Sequence, residues 1–163
     1  EMKKKQLEKY LIKNPVPVVE GPRHELFILD HHHLCLALLR QKISKVPVEL
    51  SAVWDVPEEE FWEKMYAARW LYLVDENGQP AKLNNLPKEL GKLRDNPYRS
   101  LAYFVRKAGG FQKTATPFME FQWAEFFRSR VKLGKTPDEF KKAIRQATDL
   151  ARSPEAAHLP GYY

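Results

Sequence analysis

Asp30, His31, His32 and His33 stand consecutively in the chain, a carboxylate followed by three imidazoles. Side chains of these types accept and donate protons near neutral pH and ligate metals. They fall between four apolar residues, Leu26 to Leu29, and a stretch in which Leu34, Ala37, Leu38 and Leu39 recur at three- and four-residue steps. The first run predicts a short buried strand, and the second an amphipathic helix from about His31 to Lys42 with Asp30 as its N-cap. A strand feeding a helix N-terminus makes a seat for an anion, because unpaired first-turn amides and the helix dipole point the same way. Plainer roles stand beside this one: Asp30 as a simple cap, and the histidines as polar first-turn residues. An expression tag would sit at a terminus and would not lead into an amphipathic helix.

A second cluster has similar chemistry. Asp95-Asn96-Pro97-Tyr98-Arg99-Ser100 also reads as a helix start, bringing a hydroxyl and a guanidinium to a free N-terminus. Arg106, Lys107 and Lys113 flank the Gly109-Gly110 break, where backbone can approach a ligand closely. Arg99, Ser100, Arg106 and Lys113 are therefore candidate phosphate ligands; the alternative is that the arginines pair with acids of neighbouring helices. Glu120, near Trp123 and Arg128 in sequence, is either a further carboxylate for the site or a surface acid. The aromatic residues Phe118, Phe121, Trp123, Phe126 and Phe127 are expected in a core rather than as a base-stacking platform.

The elements that must position these groups follow from local signals. A short helix is expected from Glu1 to Asn14. Pro15 to Glu20 alternates Pro and Val, which suits an edge or entry strand, and the Gly21 to His24 turn makes a hairpin with Leu26 to Leu29. Val48, Leu50, Ala52 and Trp54 alternate as one face of a half-buried strand. Asp55 and Pro57 open a helix from Glu58 to Arg69 that buries Phe61, Met65 and Ala68. Trp70 to Val74 continues that helix or turns extended, ending at Asp75 to Gly78. Further helices are expected at Leu86 to Leu93, Tyr98 to Ala108, Phe118 to Val131, and from the Thr136 to Glu139 capping box to about Arg152. Strands with one helix first and helices afterwards predict an α+β fold, a small mixed sheet with a helical C-terminal half packed on it. The expected division falls near residue 80, with an α+β region over 1–80 and a helical region over 81–163 completing the pocket.

With 163 residues, 44% hydrophobic and 29% charged, the chain has the size and composition of one ordinary globular domain. No apolar run approaches the roughly 18 residues needed to cross a bilayer, so no membrane partner and a cytoplasmic location are expected. Cys35 is the only cysteine, which excludes an internal disulfide and suits a small core residue in a reducing compartment. A net charge of +6 favours anionic partners such as nucleic acid or nucleotide.

Asp30-His31-His32-His33 ahead of an Ala- and Leu-rich helix resembles the phosphate turn of the ParB/sulfiredoxin superfamily. Several segments in order resemble, more closely, the putative ParB-like nuclease family, whose members carry a D-H-H-H turn. These are Pro15 to Pro22, Asp30 to His33, Phe61-Trp62, Asp95 to Ala102, Phe118 to Arg128, and Leu159-Pro160-Gly161-Tyr162. The resemblance implies a sheet of ParB/sulfiredoxin type and hydrolysis of nucleic-acid phosphodiesters. In superfamily members that transfer phosphoryl groups, the Asp and His of the turn act at the reacting phosphate and its Arg binds phosphate. Asp30 and His33 match the first two positions. Leu34 stands where the arginine would be, a function that would fall to Arg99 or Arg106. In sulfiredoxins a reactive cysteine directly precedes the His-Arg pair; here His32 precedes His33, so reductase chemistry is not implied. The superfamily's first strand would lie upstream of Glu1.

Four functions follow. The first is a nuclease, with Asp30, His32 and His33 catalytic, His31 on the phosphate, and Arg99 and Arg106 holding the anion. The second is a phosphotransferase or ATPase using ATP or ADP on a small molecule. The third is metal-assisted hydrolysis with a divalent ion on Asp30 and His33; consecutive helical residues point about 100° apart, so three successive histidines of a regular helix cannot share one ion. The fourth is a non-catalytic DNA- or nucleotide-binding module.

Overall fold

The computed structural model describes residues 4–163, and the part of the expected first helix at residues 1–3 lies outside the described residues. The fold is α+β, with a three-stranded mixed sheet and six α-helices among those residues. It divides into two compact units, residues 1–72 with 84–93 and residues 73–83 with 94–163.

The first unit contains helix α1 (Lys4–Lys13), strands β1 (Val16–Glu20), β2 (Leu26–Ile28) and β3 (Val48–Val53), and helices α2 (His32–Arg40) and α3 (Glu58–Ala67). β1 pairs antiparallel with β2, Val18 opposite Ile28 and Glu20 opposite Leu26. It pairs parallel with β3, Val16 opposite Val48, with an irregularity between Val18 and Val19. The order β2-β1-β3 makes β1 the central strand, not the edge strand its prolines suggest. Pro17 is tolerated there because it lies where β2 gives out. Its carbonyl accepts the Leu29 amide at 2.9 Å while its ring offers no N–H in return. β1 is apolar from Val16 to Val19 because both of its faces are covered there. Val16 and Val18 pack with Cys35 of α2, and Val19 packs with Phe61 and Met65 of α3. Gly21 continues this second layer: a Cβ there would meet the Phe61 ring at 2.6 Å.

Four local expectations are corrected in this unit. β3 is an outer strand with Val48 and Leu50 exposed, so only Ala52 and Trp54 of its expected face are half-buried. α3 starts on Pro57 without a side-chain cap, and Ala68, just past its end, is exposed. α2 buries Cys35, Leu36 and Leu38, while Ala37 and Leu39 are exposed. Leu86 to Leu93 is not an α-helix; short 3-10 turns stand at Leu83–Asn85 and Leu90–Lys92. The sequence Leu-Pro-Lys-Glu-Leu-Gly-Lys-Leu carries a proline and a glycine within eight residues, too close for the cooperative run an α-helix needs.

The second unit contains helices α4 (Pro97–Lys107), α5 (Met119–Arg128) and α6 (Pro137–Ala151). Trp70 to Leu73 is not helical, and Val74 bridges Pro80 across the Asp75 to Gly78 turn. The core joins Leu101, Val105, Phe111, Trp123 and Phe127 to Ala143, Ala147 and Ala151. Three alanines at four-residue intervals give α6 a flat stripe on which large side chains of the other helices fit. Asn96 caps α4, its side-chain oxygen accepting the Arg99 amide at 3.1 Å. Thr136 and Glu139 form a reciprocal capping box on α6, the Glu139 carboxylate accepting the Thr136 amide at 2.9 Å. Thr136→Ala is expected to cost about 0.5–2 kcal/mol, read as a lowered urea midpoint with unchanged slope.

Candidate functional site

Between β2 and α2 the chain makes a sharp corner. The N-cap of α2 is His31, in the left-handed conformation at φ 65°, and it provides no side-chain hydrogen bond to the helix. Asp30 is therefore not the cap that the sequence suggests. It stands one residue earlier and accepts the His31 amide on Oδ1 at 2.7 Å, closing the corner rather than the helix. Histidine is among the few non-glycine residue types that enter this region readily. Strain of this kind persists where surrounding structure holds it, often at functional sites.

Three consequences follow for the imidazoles. His31 is half-buried, and its Nδ1 is fully buried without a hydrogen-bond partner. An unsatisfied buried polar atom costs on the order of 1–3 kcal/mol and is rare in native proteins. His32 is half-buried as well, and burial pushes its pKa below the ordinary 6.5, while the Asp30 charge and a hydrogen bond to the Ile28 backbone pull it upward. A ring that donates to a backbone carbonyl leaves its second nitrogen as an acceptor, which fixes a neutral, basic tautomer. His33 is exposed. One turn further, burial raises the pKa of the Cys35 thiol, which leaves it protonated and unreactive.

Among the described residues, no group of three or more His, Cys, Asp and Glu side chains is arranged to hold a metal. The corner remains rich in donors: the first-turn amides of a helix have no intrahelical acceptor, and here the cap side chain supplies none.

In the second unit, Arg99 and Arg106 lie two turns apart on α4 and share one acid of α5. Arg99 Nη2 donates to Glu120 Oε2 at 2.8 Å, and Arg106 Nε donates to Glu120 Oε1 at 2.9 Å. All three side chains are at least two-thirds buried. The alternative of arginines paired with a neighbouring helix therefore describes this cluster, with a surplus of one positive charge. Glu120 does not reach Arg128, which pairs with Glu125, donates to the Asn96 side chain and lies over the Tyr98 ring. Ser100 is half-buried on α4, and Lys113 is exposed in the following loop. Trp123, Phe126 and Phe127 are buried as expected of a core, with Phe118 and Phe121 half-buried around it.

Sequence reasoning did not single out Tyr103 and Phe104 of α4. Arg106 and Lys107 stand over the Tyr103 ring at 5.4 and 5.8 Å, and Phe104 is 45% exposed. The signal was present: Tyr98, Leu101, Ala102 and Val105 take the inward positions at helical spacing, which leaves residues 103 and 104 outward.

The family profile described as putative ParB-like nuclease matches residues 1–129. The crystal structure of protein Atu1540 from Agrobacterium tumefaciens is similar at a TM-score of 0.86 and 36% identity, over 98% of this chain and 86% of that one. No curated protein matches at a significant level. No helix among the described residues is long and apolar enough to cross a membrane.

Proposed function

Since the chain belongs to the putative ParB-like nuclease family, we propose that it handles phosphate esters at the Asp30 to His33 corner and hydrolyses phosphodiester bonds of nucleic acid there. The observation that carries this reading is the left-handed His31 corner, whose buried Nδ1 has no hydrogen-bond partner and whose side chain makes no capping bond to the helix start. A helix start whose dipole points out of the corner suits a phosphoryl oxygen. Asp30 holds the corner by its bond to the His31 amide. His32, kept neutral by burial, accepts a proton from the attacking water as its oxygen bonds to phosphorus. His33, exposed on the same turn, hands a proton to the departing sugar oxygen as the ester bond breaks. In the second unit, Arg99, Arg106, Ser100 and Lys113 serve as phosphate-holding groups, the arginines through donors that Glu120 does not occupy.

The test is incubation of the protein with supercoiled plasmid and single-stranded DNA, with magnesium or with chelator, followed on gels. Strand scission by the wild type that disappears in His32→Gln is the expected result. Scission unaffected by that change, or none under any of these conditions, overturns the reading.

A further inference from the structure

Of the surplus positive charge, nearly all belongs to the second unit. Its residues include 14 Lys and Arg against 9 Asp and Glu, whereas the first unit has 13 against 12. Within that unit the outward side of α4 combines cations with two aromatic rings, Phe104 exposed and Tyr103 half-buried. Arg99 and Arg106 occupy the flank toward α5, Tyr103 and Lys107 the crest, and Phe104 the flank toward α6, where its ring meets Phe140 edge-on at 5.8 Å. Tyr103 and Phe104 meet each other at 5.4 Å and 81°, and neither belongs to the hydrophobic core. Glu120 neutralises one of the two arginines, so the face keeps a net charge of about +2 with Lys107.

We propose that this face of α4 binds single-stranded nucleic acid, with unstacked bases against Phe104 and Tyr103 and the backbone phosphates on Arg99, Arg106 and Lys107. The proposal rests on the nucleic-acid reading above and names the form of the substrate. Cations alone would serve a duplex equally well. An exposed Phe104 ring beside a half-buried Tyr103 favours a single strand, since only unpaired bases offer their faces for stacking. On a helix that buries Leu101, Ala102 and Val105 completely, Phe104 remains 45% exposed and leaves part of its ring open to a base.

The experiment is fluorescence anisotropy of a labelled oligothymidylate with the full chain in chelating buffer, so that binding is read without cleavage. Phe104→Ala is expected to weaken binding about 5- to 150-fold, and Phe104→Trp to restore it, while Phe104→Leu does not. Lys107→Gln is expected to reduce the slope of log affinity against log salt by about 0.7. Wild-type affinity in Phe104→Ala, restoration by leucine as well as by tryptophan, or a duplex of equal length bound as tightly as the single strand overturns the proposal. Cleavage lost in His32→Gln together with binding indifferent to Phe104 removes this inference alone. Phe104-dependent binding without cleavage removes only the hydrolytic reading.

Discussion

His32→Gln is expected to lower the rate of phosphodiester hydrolysis by about 10²- to 10⁴-fold with the fold intact, the range a positioned general base contributes. Glutamine keeps an N–H for the Ile28 carbonyl and loses the basic nitrogen, so the variant separates chemistry from positioning. The pH profile carries the second half of the expectation. Burial holds the His32 pKa below 6.5, so the imidazole stays neutral through the physiological range. The wild-type kcat/KM should fall on the acid side of 6.5 as His32 takes up a proton, and the residual activity of His32→Gln should lack that limb. Linkage fixes the sign for stability as well. The unfolded chain binds the proton more readily than the folded one, so the stability tied to neutral His32 is fully present above 6.5. It is lost as pH falls through the folded-state pKa. An acid limb retained unchanged in His32→Gln would show that His32 is not the base.

How much of this corner could be read from the letters depends on the range of the interactions involved. Helices α4 and α6 were legible because their starts are written locally, Asn96-Pro97 in one case and the Thr136 to Glu139 box in the other. The place of β1 was not, since sheet order is decided by which strands meet, and proline at position 17 argues for an edge when read alone. The corner itself was half legible. Its residue types marked a strand passing into a helix, but whether Asp30 or His31 becomes the cap turns on one left-handed residue, which Asp and His both tolerate. The arginine pair shows the same limit. Arg99 and Arg106 share a helix face by their spacing of seven, yet that Glu120 stands between them is a fact about how α5 packs. What those arginines hold in addition to Glu120 is a question of surplus charge, and surplus charge was visible from composition.

Trp123→Ala is expected to have the largest effect on stability, about 3–5 kcal/mol, against a total of about 5–15 kcal/mol for a folded domain. The indole is fully buried, stacked on Phe111 with ring centres 4.1 Å apart and planes within 9°, and in contact with Phe126 and Phe127. Its Nε1 donates to the Pro160 carbonyl at 2.9 Å, which ties the C-terminal segment to the middle of the helical core. That segment has a second tie: the Gly161 carbonyl accepts the Gln112 amide at 2.7 Å, next to Phe111. Gly161 has φ +77°, and a Cβ there would run into the Gln112 carbonyl, so only glycine lets the two strands of chain approach. Trp123→Phe separates the two contributions. It keeps an aromatic ring against Phe111 but leaves the Pro160 carbonyl without its donor, a loss of about 1–3 kcal/mol. Urea unfolding followed by far-ultraviolet circular dichroism measures both variants. If Trp123→Ala costs less than about 1 kcal/mol, or if Trp123→Phe costs as much as alanine, then the stacked core is not what holds Leu159 to Tyr162 in place. With the expected order, packing explains the Leu-Pro-Gly-Tyr ending: proline presents its carbonyl to the indole, and glycine admits the backbone of Gln112.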